Sequence, residues 1–400
     1  MRYISTRGRA PEFGFEDVLL AGLAGDGGLY VPRQWPHLDP SEIAGFASAA
    51  YEDVATAVMQ PFIGDEIEPA ALRTLVGEAY AGFSHRAVVP LVQIGPADWL
   101  LELFHGPTLA FKDVAMQVLA RLMQRALARR GRRATIVVAT SGDTGGAAIE
   151  AFRGLAGIDI VILHPKGRVS DFQPRQMTTA PEANVHNIAL EGSFDDCQAL
   201  VKALFNDAAA RTRLSLAGVN SINWARIMAQ TVYYFTSAVA LGSPDRAVSF
   251  TVPTGNFGDI FAGYVARRMG LPISRLIIAS NVNDILTRTI ASGRYEVGEV
   301  RATSSPSMDI QVSSNFERAL YEALGRDGAV TGRLMAGLTQ SGAFTIPEDA
   351  LAAIRREYGA ACASEEAVAE MIAKTLAETG ELIDPHTAVG LVVARGVSRT

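Results

Sequence analysis

The chain has 400 residues, 48% of them hydrophobic and 20% charged, an ordinary globular composition with room for two or three cores. Its formal net charge of −6 offers no basic footprint for nucleic acid. Two distant cysteines, Cys197 and Cys362, and six scattered histidines make neither a disulfide framework nor a zinc site.

The N-terminus, Met1-Arg2-Tyr3-Ile4-Ser5, has no apolar leader core, and no apolar run approaches a membrane span, so the chain reads as soluble and cytoplasmic. Residues 1–88 carry turn punctuation at Gly25-Asp26-Gly27-Gly28 and prolines at 32, 36 and 40, then helical patterns over Ser41–Gln60 and Pro69–Phe83. The glycines from Gly22 to Gly28 lack dinucleotide-loop spacing and read as a tight turn. Arg125, Arg129, Arg130, Arg132 and Arg133 cluster at the end of a predicted helix, where a solvated helix end is expected. Strands are predicted at Thr135–Thr140, at Ile158–Leu163 with a breaker at His164-Pro165, and at Val185–Leu190. A helix spans Ala147–Leu155, and Ser193 is placed to cap the next one. Further on come a long helix over Ile222–Ala240, strands at Ala247–Val252 and Arg275–Ala279, and helices at Pro347–Tyr358 and Ser364–Thr379. Repeated β-loop-α units argue for an α/β fold of mostly parallel sheets covered by helices on both faces.

Three loops carry the chemistry. Leu103–Asp113 breaks at Gly106-Pro107 and places Lys112 beside Phe111 at a helix entry. Apolar surroundings and helix-end amides both favour a neutral, nucleophilic amine there. The plain alternative is a lysine whose stem packs while its head reaches solvent. Thr140-Ser141-Gly142-Asp143-Thr144-Gly145-Gly146 lies between a strand and a helix, where open α/β sheets bind ligands. Pro253-Thr254-Gly255-Asn256-Phe257-Gly258-Asp259 is a second such loop, whose glycines let backbone amides approach an anion. Either loop alone could be a capped turn. Neither the P-loop nor the Rossmann fingerprint occurs, which disfavours a nucleotide and weakens a NAD-dependent oxidoreductase. An amine, a polar anion-binding loop and a phosphate cradle together are the parts that a pyridoxal 5'-phosphate site requires.

Leu101–Asp113 resembles the lysine segment of the bacterial and fungal class of threonine synthases, and Thr140–Gly145 and Gly255–Asp259 resemble its other two signature loops in the same order. Asn220–Arg226, Asn281–Asp284, Asp384–Ala388 and the N-terminal Asp26–Pro32 are similar to further family segments, so the resemblance spans essentially the whole chain. It implies the tryptophan-synthase-β type of fold, fold type II: two parallel-sheet α/β subdomains with the cofactor between them, plus an N-terminal accessory domain. The expected divisions are 1–88 for that domain and 89–400 for the catalytic domain, with a smaller subdomain at roughly 113–235.

The resemblance implies a lyase of threonine biosynthesis that turns O-phospho-L-homoserine and water into L-threonine and phosphate. Lys112 would hold pyridoxal phosphate through a Schiff base and, once freed, move protons at Cα and Cβ. Gly255, Asn256, Phe257, Gly258 and Asp259 would grip its phosphate, with Asp143 near the ring hydroxyl. Ser141 and Thr144 would lie near the substrate, and Lys166, Arg168 and Arg226 are candidates for the substrate phosphate. A small-molecule substrate, no nucleic acid, no membrane and a monomer or homodimer complete the expectation. Rival readings are a β-eliminating dehydratase or phospholyase, and a non-catalytic pyridoxal-phosphate-binding homologue. The second draws on the chain ending at Arg399-Thr400 without the family's later Thr-Ala-His-Pro-type segment, whose hydroxyl is expected to face the ring nitrogen. Lacking that strand, the sheet is expected to expose an unpaired edge and apolar surface.

Overall fold

The computed structural model describes residues 1–139, 143–166, 180–192 and 194–397. Ser193, Thr140, Ser141, Gly142 and Arg168, named above, lie outside these ranges.

Two parallel sheets organise the molecule. In the smaller part the strand order is Val185–Leu190, Ile158–Pro165, Ala134–Ala139, Leu216–Ala217, and in the larger it is Tyr358–Cys362, Ile273–Ser280, Val248–Pro253. Every pairing within both is parallel. Their β-branched strands are covered by helices, as parallel sheets require. The carboxyl ends of Ala134–Ala139 and Val248–Pro253 lead into the helices Asp143–Phe152 and Gly258–Arg268. Among the described residues Val248–Pro253 is paired on one side only.

The strand predicted to stop at Leu163 runs on through the expected breaker, with His164 opposite Ala189 and Pro165 opposite Leu190. Among the described residues the neighbouring strand pairs as far as Ala139 opposite Leu163, and no acceptor there calls for the amide that Pro165 lacks. The helix expected from Ala147 starts four residues earlier, at Asp143.

Lys112–Arg129 is an 18-residue helix with no internal glycine or proline, built largely of alanine, leucine, methionine, glutamine and arginine, all good helix formers. It packs against Trp224–Ala240, which is buried along nearly its whole length. Asn223 caps that second helix by accepting from the Ala225 amide, while its own amide nitrogen donates to the carbonyls of Leu19 (2.9 Å) and Gly218 (3.0 Å).

The N-terminal region is a short antiparallel pair, Tyr3–Ser5 with Tyr30–Pro32, and helices at Phe15–Ala21, Tyr51–Ile63 and Pro69–Tyr80. The single helical run predicted over Ser41–Gln60 is instead Pro40–Gly45, a 3-10 turn at Phe46–Ser48, and a fresh start at Tyr51. Phe46 meets Phe235 edge-on at 6.0 Å, so tertiary packing overrides the local pattern. Tyr3, Phe62 and Trp224, all fully buried, meet around one point, with Tyr3–Trp224 and Phe62–Trp224 ring centroids 5.8 and 5.5 Å apart. The core therefore runs without a break from residues 1–88 into the rest of the chain.

Candidate active site

Lys112 opens its helix from a loop whose shape depends on Asp113. That carboxylate accepts from the Thr108 amide (2.7 Å) and the Thr108 hydroxyl (2.8 Å). Folded back in this way, the loop leaves the Lys112 side chain 11% exposed, with Nζ 5.0 Å from the Phe111 ring centroid. Burial pushes the amine below its usual range; Asp143 opposes the shift and Arg226 adds to it.

Asp143 begins its helix with Oδ2 3.2 Å from Lys112 Nζ. Burial alone would raise this carboxyl, but Lys112 and a hydrogen bond from Ser307 outweigh it and hold it low. Ser307 completes a triangle, its hydroxyl 3.1 Å from Asp143 Oδ2 and 3.4 Å from Lys112 Nζ. Thr144 follows Asp143 in the first turn and lines the same cleft.

The cradle is Gly255–Gly258. Among the described residues no protein acceptor takes the amides of Gly255, Asn256, Phe257 or Gly258, which lie at the start of the helix Gly258–Arg268. A Cβ at Gly255 would lie 2.8 Å from the Ser307 carbonyl oxygen, so only glycine admits this approach. Phe257 takes a left-handed φ of 64°, a costly conformation for an aromatic residue. Its buried ring is fixed against Phe316 (5.4 Å) and Tyr358 (5.2 Å). Free amides at a helix start, opposite a buried amine, fit the phosphate and aldehyde ends of pyridoxal phosphate.

Asp259 has its side chain engaged elsewhere. Its carboxyl accepts from the hydroxyls of Tyr233 (2.5 Å) and Tyr234 (2.9 Å). Burial raises it, and the two tyrosines only partly offset that. A side chain so engaged holds the helix start in place; what it can offer a phosphate is its backbone amide.

Arg226 lies 5% exposed, its Nε has no partner among the described residues, and it lines the cleft beside Asn220 and Ser221. Burial lowers its guanidinium to about 10. Lys166 is different: it pairs with Glu191 at 3.0 Å, is 64% exposed, and is not among the residues lining the cleft. Lys112, Asp143, Thr144, Arg226 and residues 255–259 share one cleft of about 2000 Å³ between the two sheets. Sequence reasoning missed Ser307. Its only local signal is the turn-forming Ser304-Ser305-Pro306 before it, and nothing in sequence shows that this turn meets Lys112.

A buried lysine facing an amide cradle across the carboxyl ends of two parallel sheets defines a pyridoxal-phosphate-dependent enzyme of fold type II. Residues 90–399 match the family described as pyridoxal-phosphate dependent enzyme, and residues 2–80 match the one described as threonine synthase N terminus. The threonine synthase of Pseudomonas aeruginosa is 52% identical over all of this chain and 85% of that relative. A crystal structure of pyridoxal-phosphate-bound threonine synthase from Brucella melitensis superposes with a TM-score of 0.97 at 61% identity, covering 99% of this chain and 85% of that one. The yeast enzyme gives 0.95 at 40% identity, covering 100% and 84%. The chain belongs to the threonine synthase family, and it is a pyridoxal-phosphate-dependent lyase.

Proposed function

We propose that the chain converts O-phospho-L-homoserine and water to L-threonine and phosphate in this cleft. The observation that carries the reading is the meeting of Lys112, Asp143 and the buried Arg226, whose Nε has no partner among the described residues, beside the Gly255–Gly258 amides. When bound, pyridoxal phosphate supplies the electron sink that lets charge develop at substrate Cα and Cβ. Lys112, depressed by burial, attaches the cofactor and afterwards moves protons at those two carbons. Asp143 holds the amine in place and would face the ring hydroxyl. Gly255, Asn256, Phe257, Gly258 and the Asp259 amide hold the cofactor phosphate. Arg226 receives the substrate phosphate, because a buried guanidinium with a spare N–H is matched to a phosphate oxygen. Thr144, which lines the cleft, would bond the substrate.

With a small metabolite as substrate, the reading puts the chain in the cytoplasm, as a monomer or homodimer. Residues 1–88 would be the accessory domain and 89–400 the catalytic one, with the smaller subdomain at roughly 113–235.

The test is to supply pyridoxal phosphate and O-phospho-L-homoserine, follow phosphate release, and identify the amino-acid product, with Lys112→Ala as control. Threonine and phosphate in equal amounts, lost in the control, are expected. Phosphate with 2-oxobutanoate and ammonia instead, the outcome of γ-elimination without water addition at Cβ, would replace the reading with an eliminating, deaminating lyase.

A further inference from the structure

The Ser307 turn is held from two sides. On one side Asn281, fully buried, donates to the hydroxyls of Thr303 and Ser305 (both 2.9 Å) and to Asp309 Oδ1 (2.8 Å). Asn283 adds a 3.0 Å bond to the same carboxylate oxygen. On the other side the Ser307 amide donates to Nε2 of His386 at 3.2 Å. His386 Nδ1 lies 3.0 Å from Asp384 Oδ1, and Thr387 donates its hydroxyl to Oδ2 of the same residue. Burial pushes Asp384 up, but the bonds from His386 and Thr387 outweigh it and hold the carboxyl at about 2.

These partners assign the tautomer. A backbone N–H cannot accept, so Nε2 must present its lone pair, and the proton sits on Nδ1, donated to the carboxylate. The consequence reaches Lys112. Holding the Ser307 amide sets where its Cα and Cβ lie, and from there the hydroxyl reaches Asp143 at 3.1 Å and the amine at 3.4 Å. Its carbonyl oxygen is fixed against Gly255 in the cradle. One turn thereby touches the amine, its carboxylate partner and the phosphate cradle.

We propose that Asp384 and His386 are positioning residues that set the Lys112–Asp143–Ser307 triangle by holding the Ser307 turn through the Nδ1-protonated form of His386. This rests on the reading of Lys112 as the cofactor lysine. The Ser307 hydroxyl, donating to Asp143, shares the charge that would otherwise act wholly on the Lys112 nitrogen. Among the described residues, the titratable and charged groups around the turn are Lys112, Asp143, His386 with Asp384 behind it, Asp309 on the far side and Glu365, which accepts from the Ser304 amide; Arg226 and Asp113 also act on Lys112.

The experiment is a pH titration of the visible absorbance of the bound cofactor in the full chain, read together with kcat and KM. His386→Leu removes the acceptor. We expect the absorbance midpoint to rise by about half a unit or more, with kcat down about tenfold and KM moved less than about threefold. His386→Gln, whose amide oxygen can take the Ser307 N–H, should restore the wild-type midpoint. Ser307→Ala should raise the midpoint by itself, and the double variant H386L/S307A should go no further than Ser307→Ala alone. An unchanged or lowered midpoint in His386→Leu, or no rescue by His386→Gln, overturns the proposal. Should His386→Leu fail to fold, an unshifted Ser307→Ala overturns it equally. Loss of the Lys112-dependent band from the wild-type chain would instead sink the cofactor reading, a distinguishable failure.

Discussion

Gly106 and Asp113 form one device. The Asp113 carboxylate folds the 104–111 loop back through two bonds from Thr108, and a Cβ at Gly106 would lie 2.5 Å from Asp113 Cβ. Burial raises Asp113 to about 6 against the pull of those two bonds. A carboxyl raised on folding binds more protons in the native state between about pH 4 and pH 6, so stability falls as pH rises through that window. The full cost above it is at most about 3 kcal/mol. Asp113→Asn keeps an oxygen for Thr108 and carries no charge. Its urea midpoint should therefore change less between pH 4.5 and 7 than the wild-type midpoint does; equal slopes would show that Asp113 ionises freely. Arg226 allows a second test at this scale. Arg226→Ala should raise KM for the phosphate substrate by about 10- to 100-fold, the worth of a charge-assisted bond. Unchanged kinetics would remove Arg226 from the phosphate site. Lys112, Asp143 and the glycine loop were legible because their residue types and spacing are themselves the chemistry. Ser307 was not, since its role comes from a turn held by Asn281 and His386.

At the scale of elements, periodicity located most strands and helices but could not say what their polar ends meet. The arginine cluster illustrates this. Arg132 and Arg133 are exposed, as a solvated helix end predicts, but Arg125, Arg129 and Arg130 converge on Glu16, whose side chain is fully buried, and Arg130 also pairs with Asp17 at 2.6 Å. The N-terminal helix Phe15–Ala21 is thus pinned to the far end of the helix that Lys112 begins. A sequence shows like charges crowding; it does not show an acidic residue some 110 positions away arriving to pair with them. Glu16→Gln leaves three guanidiniums that are already partly exposed and can turn to water, so the cost should lie below that of a fully buried pair. We expect about 1–3 kcal/mol in urea unfolding, with Glu16→Ala at the upper end. A loss under about 0.5 kcal/mol would mean that the cluster is solvated after all.

Across the whole molecule, composition and loop order indicated the α/β class and the order of its parts, whereas the depth of the junction between residues 1–88 and the remainder was hidden. Arg318 is fully buried and donates to the carbonyls of Tyr30 (3.0 Å) and Ile222 (2.7 Å), with its guanidinium 5.7 Å from the Trp224 ring. Burial lowers it to about 9, against the pull of Glu317. Glu317 itself takes bonds from Thr6 and Arg7. Tyr3, Phe62 and Trp35 pack on Trp224 from the N-terminal side. Separating the two regions would strand a buried arginine and open the aromatic cluster, so residues 1–88 should unfold together with the rest. The tryptophans make this measurable. Trp35 and Trp224 sit at the junction, 6.1 Å apart, and Trp99 lines the cleft. In Trp99→Phe, fluorescence reports on the junction while far-ultraviolet circular dichroism reports on all helices. The two denaturation curves should coincide, as a single cooperative unit requires. A fluorescence transition at clearly lower denaturant, with most of the helical signal retained, would show instead that the N-terminal region melts off a catalytic body stable without it.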